Sequence, residues 1–217
     1  MTTSPPAPAP GSANARLAAC LLAAVLALLA WSAYRPHDYE TWGLEVFPAV
    51  IAIVILLATR RRFPLTPLAY TLIAIHAVIL IVGGHYTYAL VPVGNWFKEH
   101  FHLSRNHYDR LGHFVQGFGP ALIAREVLLR NGVVKRGWWL AFLLFSICMA
   151  ISAMYELLEW RVAVLTGGSA ASTAFLGTQG DPWDTQEDMA MCGVGAIVSL
   201  LTLPRWHDAQ MRRLDVT

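Results

Sequence analysis

The 217-residue chain is 56% hydrophobic and 14% charged, with a mean hydropathy of +0.47 and a formal net charge of +2. Soluble domains carry about 25% charged residues, so this composition excludes an ordinary soluble domain and points to the membrane class. The near-neutral balance, with no basic stripe, excludes a nucleic-acid partner; Cys20, Cys148 and Cys192, all within apolar runs, form neither a disulfide framework nor a zinc knuckle.

In chain order, residues 1–15 are rich in Pro, Ala and Ser and lack charge or periodicity, which predicts a disordered tail. Residues 17–34 form the first apolar run. Only Arg16 precedes it, short of the basic start of a signal peptide, so an uncleaved span is expected. Five further runs follow at 42–59, 67–91, 112–129, 138–160 and 183–203, each near the ~20 residues that a bilayer core requires. Pro48, Gly117, Gly119 and Pro120 fall inside these runs, where kinks and close helix contacts are tolerated. The expected fold is all-α and polytopic, with about six transmembrane helices in a membrane domain over 16–204 and a cytoplasmic C-terminal tail over 205–217. Residues 95–103, with Trp96, Phe97 and Phe101, read as a helix lying in the membrane interface.

Basic residues set an orientation. With the N-terminus inside, the inner segments hold ten Lys or Arg, including the Arg60-Arg61-Arg62 triplet, against five outside. The positive-inside rule then places both termini in the cytoplasm. Four polar stretches meet at the outer face: His85 at the end of the third span, residues 105–114 before and into the fourth, residues 155–160 in the fifth, and residues 177–189 at the start of the sixth.

The last stretch, GTQGDPWDTQEDM, sets Asp181, Asp184, Glu187 and Asp188 against an apolar run. Acids are costly at a bilayer, so a site is the default expectation. Asp109 and His113 are four residues apart, with Gln116 and Gly117 continuing that face. Glu156 and Glu159 are three apart, and Asp184 and Asp188 four apart with Gly195 beyond. Such spacings put each set on one helical face. Asp181-Pro182 reads as an N-cap followed by proline at the first helical position, leaving Asp184 in the first turn, where the helix dipole favours an acid.

RNHYDRLGHF, YELLEW and FLGTQGDPWDTQEDM together resemble the YjdF family of bacterial inner-membrane proteins, a domain of unknown function. The resemblance covers residues 85–201. The Tyr-Asp-Arg-x-x-His-Phe, Glu-x-x-Glu and Asp-x-x-x-Asp-Met series is also distantly similar to VanZ-type proteins, with Arg110 and Glu159 departing from that pattern. The resemblance implies a multi-pass protein of the bacterial inner membrane and names no reaction.

Three readings of the polar cluster stay open. The first is structural or adaptor: Arg105, Tyr108, Arg110 and Arg161 neutralise the acids in a hydrogen-bonded cap. The second is a metal-dependent hydrolase or transferase acting on lipid-linked or envelope substrates. His85, His107, His113, Asp181, Asp184 and Asp188 are then the candidate ligands of a divalent metal. Asp109, His113, Glu156 and Glu159 are the candidate acid–base groups. The third is a proton- or cation-coupled transporter, disfavoured by how few ionisable groups the inner halves of the spans carry. The bilayer is the expected partner, with a lipid or lipid-linked substrate under the second reading.

Overall fold

The computed structural model describes the backbone of residues 10–214 and the side chains from Asn14 onward. Among the described residues every regular element is helical: α1 (Pro10–Ser32), α2 (Tyr39–Thr59), α3 (Pro67–Tyr86), a 3-10 turn (Tyr88–Leu90), α4 (Pro92–His100), α5 (Tyr108–Arg130), α6 (Trp138–Leu165), α7 (Ala170–Leu176), α8 (Asp184–Thr202) and α9 (Pro204–Leu214). The tail expected over 1–15 lies partly outside the described residues. Residues 10–15 already belong to α1, and Asn14 Nδ2 donates to Leu65 O at 2.9 Å, tying the helix start to the entry of α3. The C-terminal segment is the amphipathic helix α9.

Among the described residues four helices are long and apolar enough to cross a bilayer: α1 from Asn14, α2, α3 and α6. α8 qualifies only together with α9, across a 66° bend. That is four or five spans by composition, against the six expected. The difference falls on α8, when it is not joined with α9, and on α5, which has span length but carries Asp109, Arg110, Arg125, Glu126 and Arg130. α5 packs against α3, α6 and α8, and more than half of its residues are buried. A helix enclosed by others need not be apolar all round.

α5 and α8 form the tightest pair. A Cβ on Gly117 would overlap the Cys192 carbonyl oxygen, and one on Gly195 would overlap the Phe114 carbonyl oxygen. Only glycine lets the two backbones approach this closely. α1 and α2 both pack on α3. Val25, Val46, Ala77 and Ile81 share one core cluster where these three helices meet.

The bundle has two polar ends. The far end gathers the starts of α1, α3 and α6 with the ends of α2, α5 and α8. There Glu126 is fully buried and accepts from Thr66 N (2.9 Å), Thr66 Oγ1 (2.7 Å), Arg130 (2.7 Å) and His207 Nε2 (3.0 Å). Arg125 faces His207 Nδ1 at 3.2 Å. A guanidinium only donates, so Nδ1 accepts, and Nε2–H donates to Glu126. Asp208 takes Arg125 at 2.8 Å and Arg136 at 2.7 Å. Burial pushes the Asp208 carboxyl up, but hydrogen bonds from Arg125 and Arg136 outweigh it and hold the group below its usual range. Leu68 N donates to Gln210 Oε1 at 2.8 Å, so α9 is latched onto both α3 and α5.

Candidate metal centre

The other end of the bundle is built by two loops that lock together. Residues 101–107 lead into α5, and residues 177–183 lead into α8. Asn106 N donates to Gln179 Oε1 (3.1 Å), and Gln179 Nε2 donates back to Asn106 O (2.8 Å). The fully buried Asn106 Nδ2 shares its two hydrogens among Ala89 O, Val91 O and Asn95 Oδ1, all within hydrogen-bond distance, and Oδ1 accepts from Tyr108 N. One asparagine thus fixes the start of α5 to the turn after α3. Gly177 ends α7 at φ +69° and passes so close to Asp109 that a Cβ would sit 2.7 Å from Asp109 Oδ2. Both the positive φ and the contact favour glycine there.

α8 begins at Asp184, two residues later than the Asp181-Pro182 pattern suggests. Asp181 Oδ1 accepts from Trp183 N at 2.9 Å, which makes a turn ahead of the helix rather than its cap. This bond, with Arg110 and then Arg105 nearby, holds the Asp181 carboxyl below its usual range. Asp184 sits in the first turn of α8, as expected.

The ionisable groups form two layers. The outer layer is paired. Arg105 forms ion pairs with Asp184 and with Asp181 (3.4 Å), and donates to the carbonyls of Gly177 and Thr178. Arg110 reaches Asp181 (2.8 Å), Glu187 (2.6 Å) and Asp184 (3.5 Å). Both arginines are buried, so they act as a clamp between the α5 entry and the α8 entry.

The inner layer is not paired. Ligand atoms of Asp109, His113 and Asp188 all lie within 4.8 Å of one another, and all three residues are buried. His113 Nε2 stands 3.6 Å from Asp109 Oδ1 and 3.5 Å from Glu156 Oε1, beyond hydrogen-bond range. Its Nδ1 lies 3.0 Å from Gln116 Oε1. With that oxygen as acceptor, Nδ1 carries the proton and the Nε2 lone pair faces the carboxylates. Asp188 Oδ1, Glu156 Oε1 and Ser152 Oγ are buried without a hydrogen-bond partner. Glu159 is buried beside them. So is Glu45 of α2, at 0% exposure with no hydrogen bond to either oxygen and with Tyr88 and Tyr155 as neighbours. Three carboxyls, Asp109, Glu156 and Asp188, therefore face one imidazole, and Glu159 and Glu45 are buried on the Asp109 side. Two like charges at 4 Å repel by about 4 kcal/mol in such an environment, so the layer needs a cation or bound protons. A divalent ion held there would polarise a phosphoryl oxygen or activate water.

Six of the residues singled out from sequence come together in these two layers around Asp109, His113 and Asp188: those three, Glu156, Glu159 and Asp184. Asp181 joins them through the arginine clamp. Asp184 and Asp181 are engaged by arginine, which leaves Asp188 as the α8 acid that faces the centre. His85 and His107 are not brought in. His85 Nδ1 lies 2.9 Å from Ser32 O, and its ring stands 4.3 Å from Trp31, so it serves the α1–α3 contact. His107 is exposed at the N-cap of α5. Desolvation, then the Arg110 and Arg105 charges, lower its imidazole below the usual range. Glu45 is absent from the sequence expectation. Its signal was present: a glutamate inside the apolar run 42–59.

The family described as "Predicted membrane protein (DUF2238)" matches residues 17–209, nearly the whole chain and both layers. The chain belongs to the DUF2238 family. It is 53% identical over 189 residues to the inner membrane protein YjdF of Escherichia coli (strain K12), covering 87% of this chain and 90% of that protein. No solved structure matches. This DUF2238 protein is thus an all-α membrane protein whose clamp and acid-rich centre both fall inside the region its family shares.

Proposed function

We propose that this protein holds a divalent cation at the site end of its bundle, with Asp109, His113 and Asp188 as ligands and Glu156 beside them. One observation carries the reading: three buried ligand groups converge within 4.8 Å while Asp188 Oδ1 lacks any hydrogen bond. Ligands about 2.0–2.1 Å from one tetrahedral ion stand roughly 3.3 Å apart, and His113 Nε2 lies at 3.5–3.6 Å from two carboxylate oxygens. Gln116 fits the outer partner that commonly fixes the tautomer of a ligating histidine. The paired outer layer favours a second, compatible role. Arg105 and Arg110 hold the α5 and α8 entries together, a structural cap over the centre.

The bias of ten basic residues against five supports cytoplasmic termini and a periplasm-facing centre. Arg60, Arg61, Arg130 and Arg136 all belong to the far end, in keeping with that orientation.

Metal content of the protein purified gently in detergent tests the proposal. About one equivalent of a divalent ion is expected, falling at least ten-fold in Asp188→Asn and His113→Gln. Less than about 0.1 equivalent in the wild type would overturn it.

A further inference from the structure

The molecule has a second candidate site at the far end, separate from the acid-rich centre. α1 and α2 both rest on α3 and share the cluster of Val25 and Val46 and the bond from Trp42 Nε1 to Ser32 Oγ, and from there to the far end a cleft lies between them. The cleft between them has a volume of about 660 Å³, within the range of small-molecule pockets. Its walls are apolar, with alanines such as Ala18 of α1, Ala52 of α2 and Ala74 of α3 interleaved with Leu22, Leu56 and Ile73. Arg60 and Arg61 line its far-end mouth. Both are exposed, and among the described residues neither forms an ion pair with an acid.

We infer that this cleft binds one anionic phospholipid, its acyl chain between α1 and α2 and its phosphate against Arg60 and Arg61. The chemistry matches along the whole length. The apolar walls, with room left by their alanines, suit a flexible hydrocarbon chain and not water. The guanidinium pair stands where the helices end, at headgroup depth, and suits a phosphate by both charge and donor geometry. Charge also disfavours a second copy of this chain. Such a copy would bring another Arg60-Arg61-Arg62 triplet toward the first.

The test is native mass spectrometry of the full chain in detergent, titrated separately with phosphatidylglycerol and phosphatidylcholine. One phosphatidylglycerol should bind at least ten-fold more tightly than phosphatidylcholine. Arg60→Gln with Arg61→Gln should abolish that preference, a loss of roughly ten-fold in phosphatidylglycerol affinity, and leave phosphatidylcholine unchanged. Ala18→Leu with Ala52→Leu should fill the cleft and weaken both lipids. These positions are surface or half-buried, and an unchanged melting temperature confirms that each variant folds. Equal binding of the two lipids by the wild type would overturn the inference. So would a preference that survives loss of both arginines, or lipid binding that survives the filled cleft. A dimer that forms without lipid and is broken by the leucines would give the cleft to a second copy instead.

Discussion

At the far end, Glu126 has four donors for its two oxygens, and His207 is held in one tautomer between Arg125 and that carboxylate. At the site end, Asp188 and Glu156 each keep a buried oxygen with no hydrogen bond, and Glu45 keeps two. Both ends bury acids, and both keep arginines nearby. The far end spends its cations inside the network, whereas the site end spends Arg105 and Arg110 on the outer layer and leaves the inner one acid-rich. Glu126 and His207 are satisfied as a latch requires, although the far end also buries Asn14 Oδ1 without a hydrogen bond and holds Asp208 Oδ1 only by its ion pair with Arg125. An acid-rich layer with open lone pairs is what a cation site requires. Under the proposed function the two ends do different work, although the residue types overlap.

The contrast can be broken in several ways. The largest effect should come from the contact that sets both ends relative to each other. Gly117→Val or Gly195→Val drives a side chain into the backbone of the opposite helix, so a loss of at least about 3 kcal/mol, or failure to accumulate, is expected in thermal unfolding.

Next comes the direct comparison of acids. Glu126→Gln removes a carboxylate that accepts from Thr66, Arg130 and His207, and should cost about 3 kcal/mol in denaturation. Asp188→Asn in chelator removes one of several crowded carboxyls and should stay within about 1 kcal/mol of wild type, or exceed it. Equal destabilisation by the two would erase the distinction between latch and site.

A smaller effect belongs to the clamp. The Asp181 carboxyl is held below its usual range, so the stability it contributes is present above the ordinary Asp value near 3.9 and lost as pH falls through its own lower value. Melting curves of wild type and Asp181→Asn should therefore differ at neutral pH and converge below about pH 3. A constant gap down to that pH would remove Asp181 from the clamp.

Much of the site end was legible in the sequence because its residues repeat at helical spacing. Asp109 with His113, Glu156 with Glu159, and Asp184 with Asp188 each mark one face of a helix, and antiparallel spans then bring the faces to one depth. What spacing does not carry is which acid meets an arginine. Asp184 and Asp188 look equivalent in sequence, yet one turn of helix puts the first against Arg105 and the second against His113. The far end was less legible. Arg125 and Glu126 are neighbours near the end of an apolar run, and no local spacing reveals partners such as Thr66 and His207, 60 and 81 residues away from Glu126. Glu45 is a single acid in an apolar run, with no helical-spaced partner to mark it, and only the fold sets it beside Tyr155 and Asp109.

The central claim is that the site end is completed by a cation and the far end is complete without one. The most direct measurement is the melting temperature of purified wild type, Asp188→Asn and Glu126→Gln, each before and after a chelator. Chelation should lower the value for wild type and for Glu126→Gln by several degrees and leave Asp188→Asn unmoved. If chelator shifts none of the three, or shifts Asp188→Asn as much as wild type, the acid-rich centre does not hold a metal.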